Sequence, residues 1–247
     1  MTASEVVSTL RNSSLPTLIV EGRSDMVLYQ AIEEMCFANS IDVMPVGSRT
    51  TLFEVHSRRA EFSKTPVAFL ADRDMFAFGS IPPEHSGIIF TSGYSIENDI
   101  LAGGKAFRIL SKKHVPLWSN VLSAMSQWFA SVVHRYLNGE AVEYKQHPCQ
   151  IVDFANASLK PAATANVLSI AVLSPQAKTV LDTPILKLRG HTLLDGFGHF
   201  LATVKQNPKC NKDVLLRMDL VSWESNNSIN KLIEEVGRVV PIAIPLN

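Results

Sequence analysis

Over the first hundred residues the apolar positions come in short blocks whose spacing switches between continuous and helical. Leu18–Val20 is a continuous run that predicts a buried strand. Leu28, Ala31, Ile32 and Met35 then fall at helical spacing, with Ser24 placed to cap that helix. Ile41–Val46, closed by Gly47, predicts a second strand, and Leu52, Phe53, Val55 and Phe62 predict a second helix over Thr50–Phe62. After Pro66 the run Val67–Ala71 is apolar without alternation, which requires cover on both faces, as in a parallel sheet. Gly87–Phe90 supplies a fourth short strand. Strands alternating with helices in this order predict an α/β fold, a parallel sheet flanked by helices.

Beyond Gly103 and Gly104 the texture changes. Lys105–His114 is basic and reads as helical, and Val115–His134 is uncharged and long enough to raise the question of a membrane span. Its pattern argues against one. Trp118, Val121, Leu122, Met125, Phe129 and Val132 make one stripe, while Ser119, Asn120, Ser123, Ser126, Gln127 and Ser131 make the other, so an amphipathic helix on a core is expected and no membrane contact. The rest reads as helices broken at Pro148, Pro161, Pro175, Pro184 and Pro208, with Ile242–Pro245 as a last edge strand or a tail. We therefore expect an α/β domain over residues 1–103 and a mostly helical extension over residues 104–247 that serves substrate, dimer or partner contacts.

Charge narrows the possible partners. Lys plus Arg and Asp plus Glu both number 23, so no net field draws polyanions to the surface and any nucleic-acid contact must be local. Lys105, Arg108, Lys112 and Lys113 form the best local basic patch if their segment is helical, although a solvated helix face explains the same pattern. The three cysteines lie far apart, with no Cys/His spacing suited to zinc, which predicts a reduced chain. The first residues lack a basic start followed by an apolar core, so a secretory signal is not expected and the cytoplasm is the expected location.

The chemistry lies where the strands stop. In a parallel α/β sheet, residues just past the carboxyl ends of strands reach one crevice, so Glu21 after the first strand and Asp72 and Asp74 after the third should converge, with Asp25 beside them. Several carboxylates in one site repel each other and take up protons unless a cation is present. Oxygen donors with no nearby His/Cys cluster favour Mg²⁺ or Mn²⁺ over zinc, and such an ion suits phosphate chemistry. Taken singly, Glu21 and Asp25 also fit a helix N-terminus, and Asp72 and Asp74 fit a turn. Arg73 between the aspartates suits a substrate phosphate or an ion pair that steadies them. Arg189 and His191 follow a strand-like run containing Lys187 and are candidate substrate contacts, though a lone histidine is more often structural. Tyr94 reads as a packing residue.

"LIVEGRSD" and "FLADRD" resemble the two signatures of the Toprim domain, the metal-binding module of bacterial primases, topoisomerases and OLD-family nucleases, over residues 17–75. "GYSIENDI" at Gly93–Ile100 resembles the Tyr-x-Ile-Glu-Asn element of the Toprim-like DUF4435 family, which includes the nuclease effector of the PARIS anti-phage system. That family also carries an Arg-Gly element, matched by "LRGHTLLDGF". The resemblance implies that Glu21 is a metal ligand and general base, that Asp72 and Asp74 hold metal, and that Asp25 and Glu97 join them as OLD-type acids. For Glu97 an exposed loop carboxylate is the alternative. The implied function is a Mg²⁺-dependent (or Mn²⁺-dependent) nuclease, a toxic defence effector controlled by an ABC-type ATPase partner. RNA is the implied substrate, with transfer RNA the first to test.

Two other readings compete. Some Toprim proteins keep the fold as a non-catalytic binding or assembly surface, and the neutral charge and large helical half suit that. A DxD after a strand also occurs in nucleotide-sugar glycosyltransferases and haloacid-dehalogenase phosphatases. Phe76 stands where the phosphatase needs Thr or Val, and neither enzyme explains Glu21. An apolar helix face serves a core and a homodimer interface equally well, so a homodimer stays open.

Overall fold

The structure, a computed structural model, describes residues 1–22, 26–36, 41–206 and 211–240. Ser24, Asp25, Pro208, Cys210 and the Ile242–Pro245 run lie outside the described residues, as do the side chains of Leu28 and Met35. Four strands, β1 (Thr17–Val20), β2 (Asp42–Pro45), β3 (Val67–Ala71) and β4 (Ile89–Phe90), form one parallel sheet in the order β2-β1-β3-β4. Helices α1 (Ala3–Arg11), α2 (Met26–Cys36) and α3 (Arg49–Ser57) belong to this α/β region, and α4 (Ile96–Leu101) follows β4. The fold class is thus α/β, a parallel sheet flanked by helices.

Register puts all the strand ends on one edge. Thr17 pairs with Asp42 and Val67, Val20 with Pro45 and Leu70, and Ala71 with Phe90. The residue after each strand therefore emerges beside its neighbours' exits. Alternation along the strands builds two cores. Leu18, Val20, Ala68, Leu70 and Ile89 face one way, and Ile19, Phe69, Ala71 and Phe90 the other. The second face is covered by α1 and α3 through Val6, Val7, Leu10, Leu52 and Val55. Burial on both sides accounts for the unbroken apolar run of β3.

The first face is covered by the later helices. These are α5 (Val115–Leu137), α6 (Pro148–Ile151), α7 (Pro161–Thr164), α8 (Pro175–Asp182), α9 (Pro184–Lys187), α10 (Gly190–Thr203), α11 (Lys212–Leu220) and α12 (Asn227–Val239), with a small antiparallel pair, β5 (Val152–Asp153) and β6 (Ser158–Leu159). Pro148, Pro161, Pro175 and Pro184 each stand at the first position of a helix, where a missing N–H costs nothing and the fixed φ favours helix entry. Phe129, Phe197 and Val236 from these helices share a core with Leu18 and Leu70, so the apolar core includes residues on both sides of Gly103. No helix among the described residues is long and apolar enough to cross a membrane.

Four local expectations are corrected. Lys105–His114 is not one helix. Asp219, itself buried, accepts the Lys105 and Ala106 N–H groups (2.7 and 2.9 Å), only a 3-10 turn follows at Ala106–Ile109, and Leu110 is extended. Lys105, Arg108, Lys112 and Lys113 therefore do not share a helix face. The helix expected over Thr50–Phe62 ends at Ser57, and a 3-10 turn at Arg59–Phe62 completes the segment. The run containing Lys187 is a helical turn begun by Pro184, not a strand. In α5, Ser126 and Ser131 are buried rather than on a wet face. Each donates to the carbonyl four residues back (2.7 and 2.9 Å), and Ser131 Oγ also accepts from Leu168 N (2.9 Å), so their polarity is satisfied inside.

Candidate functional site

Glu21 leaves the end of β1 and turns toward β3, where its Oε1 accepts the backbone N–H of Asp72 at 3.0 Å. Asp72 leaves β3, and its Oδ1 accepts the Ile96 N–H at the start of α4 (2.9 Å). Asp74 stands two residues on with φ of 46°, a left-handed conformation that Asp tolerates better than most residues. Its N–H donates to the Tyr94 carbonyl at 2.7 Å, which holds that turn. The loop after β4 is fixed in the same way. Thr91 Oγ1 accepts the Arg73 N–H (3.0 Å) and donates to the Gly93 carbonyl (3.1 Å), and Asp99 accepts the Ser92 and Gly93 N–H groups (2.8 and 2.6 Å).

Two of the three carboxylates, and the backbone of the third acid, meet one guanidinium. Arg49 lies 2.9 Å through Nη1 from Asp74 Oδ2 and 3.4 Å through Nε from Glu21 Oε1, and its Nη2 donates to the Asp72 carbonyl. Its position follows from local sequence. Gly47, at φ of 102°, turns the chain after β2, Ser48 caps α3 by accepting the Thr51 N–H, and Arg49 becomes the first helical residue, at the same sheet edge. The guanidinium also lies over the Phe76 ring, 5.1 Å from its centroid. Sequence reasoning missed Arg49, although the crevice rule that placed Glu21 and Asp72 applies equally to the residues after β2.

Glu97, on the first turn of α4, is only 4% exposed, so the loop-carboxylate alternative is overturned. The helix that carries it is tied to the end of β3 by Asp72 and to the later chain by Asn98. Asn98 Oδ1 accepts from Ser95, and its Nδ2 donates to the carbonyls of Ile185 and Leu188, joining α4 to the chain just before Arg189. Gly190 then passes so close that a Cβ there would stand 2.2 Å from Ser95 Oγ and 3.0 Å from Glu97 Oε2. This approach brings His191 Nε2 to 3.5 Å from Glu97 Oε1.

The result is a cleft of about 200 Å³ lined by Asp72, Asp74, Glu97, Lys145, Arg189 and His191, with the Tyr94 ring in its wall. Tyr94 packs on Phe129 at 5.7 Å between centroids, consistent with a packing role. A larger concavity of about 760 Å³ lies near the amino ends of β3 and β4, around His56, Phe62 and Thr65, and gathers no acids. Arg73 does not line the acid cleft. Its side chain lies in a groove with Phe90, Lys231 and Arg238, so contact with a phosphate at the acids falls to other cations. None of Lys105, Arg108, Lys112 and Lys113 lines the cleft either.

Electrostatics follow the geometry. Burial pushes Glu21 up to about 7, opposed by Arg49 and helped by Asp74. Asp72 is pushed well above the usual carboxylate range, first by burial and then by Glu97, Glu21 and Asp74. Asp74 is raised by burial against the pull of Arg49, Arg189, Lys145 and His191. Glu21, Asp72 and Asp74 are thus all raised, and the one guanidinium that pairs with Glu21 and Asp74 does not cancel the effect of burial. The donor set is carboxylate oxygen alone, without sulfur, which suits a hard dication such as Mg²⁺ or Mn²⁺. Glu21, Asp72, Asp74 and Glu97 are the residues that would hold it.

The chain matches no known protein-family model and no curated protein. What can be said of this site therefore rests on its own residues. Two classes of group share the cleft, acids from the end of β3 with Glu97 of α4, and the nitrogen groups of Arg189, His191 and Lys145, while Glu21 is tied to these acids through the Asp72 N–H and does not itself line the cleft. The second class comes entirely from the helical half.

Proposed function

We propose that the chain is a metal-dependent phosphodiesterase acting on nucleic acid, with Glu21, Asp72, Asp74 and Glu97 as the metal-holding acids. The observation that carries this reading is the meeting of Asp72, Asp74 and Glu97 with Arg189, Lys145 and His191 in one cleft at the carboxyl edge of a parallel sheet, with Glu21 bonded to the Asp72 N–H. A dication bound there would polarise a phosphoryl oxygen and make a bound water easier to deprotonate. Arg189 and Lys145 are placed to bind phosphate oxygens. Glu21, bonded to the Asp72 N–H at the same sheet edge, would help hold the ion or take a proton from water beside it. His191, held beside Glu97, can give a proton to a departing oxygen.

The resemblance of the two acidic elements to Toprim nucleases adds to this reading, as does that of Gly93–Ile100 and the Arg-Gly element to the DUF4435 family. On that basis we take the function to be an RNA-cleaving effector of anti-phage defence, restrained by an ABC-type ATPase. Neutral overall charge agrees with a substrate contact confined to the cleft.

One observation favours a second reading. Arg49 already pairs with Glu21 and Asp74, so it can serve as a built-in counter-charge in a non-catalytic assembly module. The deciding experiment incubates the protein with transfer RNA, other RNA and DNA, with Mg²⁺, Mn²⁺ or chelator. Cleavage is expected only with metal, and Glu21→Ala should abolish it. Equal cleavage by Glu21→Ala defeats the site assignment, and metal binding without cleavage of any substrate, alone or with the ATPase, favours the assembly module.

A further inference from the structure

Away from the acids, folding brings His147, Cys149 and His199 together so that one donor atom from each lies within 4.8 Å of the others. No Cys/His spacing in the sequence announces this, because His199 comes from a different helix some fifty residues later. We propose that these three residues form a second metal site, of soft nitrogen and sulfur character, that takes Zn²⁺.

The donors sit on anchored backbone. His147 caps α6, its Nδ1 accepting the Cys149 N–H at 3.3 Å, which holds the imidazole beside Cys149 until a metal takes that place. Pro148 between them is buried, as is Ile151. His199 lies on α10 between the fully buried Phe197 and Phe200. Gly196 lets α10 approach closely, since a Cβ there would meet Met125 Sδ at 2.7 Å and Pro148 Cβ at 3.7 Å. The two imidazoles already meet edge to face, with centroids 5.1 Å apart.

A tetrahedral zinc, at about 2.0–2.3 Å from each donor, needs donors about 3.5 Å apart. The site must therefore close by about 1 Å, a movement that exposed imidazoles reach by side-chain rotation. Two imidazoles and a thiolate leave the fourth position for water. Burial and then Asp195, one turn before His199 on α10, raise the Cys149 thiol, and once a dication displaces that proton the same carboxylate would offset the remaining positive charge. Sulfur and nitrogen donors select this ion over the Mg²⁺ suited to the acid cleft. A bound ion would staple α6 to α10, and with it the segment that carries Lys145 into the cleft two residues before His147.

Cobalt replaces zinc as a coloured probe. Titrating Co²⁺ into the reduced, metal-free, full-length protein should give a thiolate-to-cobalt charge-transfer band that saturates at a single equivalent and disappears on adding Zn²⁺. Cys149→Ser should abolish the band, and His199→Ala should weaken Co²⁺ binding by about tenfold or more. Asp72→Asn and a Cys36→Ser/Cys210→Ser double variant should keep the band. The proposal is overturned if the wild type shows no thiolate band, if the band survives Cys149→Ser, or if His199→Ala binds within about twofold of the wild type. Because the readout is a thiolate band from Cys149, outside the acid cleft, its failure is separable from failure of the nuclease reading.

Discussion

Glu21 couples the acid cleft to the stability of the whole fold, and the sign of that coupling can be worked out. Its carboxyl is raised from 4.5 to about 7 in the folded chain, mainly by burial. Between those values the folded state keeps a proton that the unfolded state has released. The unfolded state then binds fewer protons, so stability is fully present below the unfolded value and falls as pH rises through the folded one. A rise of about 2.5 units at about 1.4 kcal/mol per unit amounts to about 3 kcal/mol for this group, whose side chain is 17% exposed. Asp72 and Asp74 are raised as well and act in the same sense. For a chain of 247 residues, about 3 kcal/mol corresponds to roughly 6–12 °C in Tm.

The assay is thermal unfolding by circular dichroism in chelator between about pH 5 and about pH 8, repeated with Mg²⁺. Without metal, Tm should fall across this range by about the amount above. Mg²⁺ should restore most of it at the alkaline end and do little at the acid end, where protons occupy the carboxylates. Glu21→Gln, which cannot ionise, should flatten the metal-free slope and reduce the Mg²⁺ effect. If Glu21→Gln and wild type lose stability equally with pH, or if Mg²⁺ raises Tm by the same amount at both ends, the carboxylates are not the coupled cluster described here.

Arg49→Ala leaves Glu21 and Asp74 without their guanidinium and, for a partly exposed pair, should cost about 1–2 kcal/mol in urea unfolding without metal, with a smaller loss in Mg²⁺. Gly190→Ala forces a Cβ to 2.2 Å from Ser95 Oγ and should destabilise by about 1–3 kcal/mol while lowering Mg²⁺ affinity in calorimetry, because Glu97 must move. Arg189→Ala and Lys145→Ala should each weaken nucleic-acid binding and reduce the salt slope by about one, whereas Lys112→Ala and Lys113→Ala, outside the cleft, should leave the slope unchanged. A fragment of residues 1–103 should fail to give a cooperative unfolding transition, since Leu18, Val20 and Leu70 lose the cover of Phe129, Phe197 and Val236.

The sheet was legible because its strands are short unbroken apolar runs, and a parallel sheet sends their ends to one edge wherever they lie in the chain. That rule placed Glu21 beside Asp72 across fifty residues. It was applied only to acids, so Arg49 went unnoticed behind the Gly47–Ser48 turn. Helix α1 was also overlooked, although Thr2 and Glu5 form a capping box ahead of Val6, Val7 and Leu10. Patterning failed where tertiary contacts set local structure. Lys105–His114 has the composition of a helix, but Asp219 takes the amides of Lys105 and Ala106 and leaves only a short turn. Arg73 lies between two site aspartates in sequence, yet it stands past the end of β3 in a helical turn that sends its side chain into a different groove.

The same reasoning explains why the acids alone do not make the cleft. From β1 and β3 come Glu21, Asp72 and Asp74, but a concentration of negative charge repels a phosphodiester as readily as it attracts a dication. Lys145 comes from the segment before α6, and Arg189 and His191 from the passage between α9 and the start of α10, which is held against α4 by Asn98 on two carbonyls and by the bare backbone of Gly190. Tyr94 N–H donating to the Leu186 carbonyl at 2.7 Å adds a third tie, and Gly93 permits it, since a Cβ there would stand 2.9 Å from the same oxygen. Gly93, Asn98 and Gly190 therefore work as one joint. It holds Arg189 and His191 over the acids, so that the charge of the sheet edge and that of the helical half meet in one cleft.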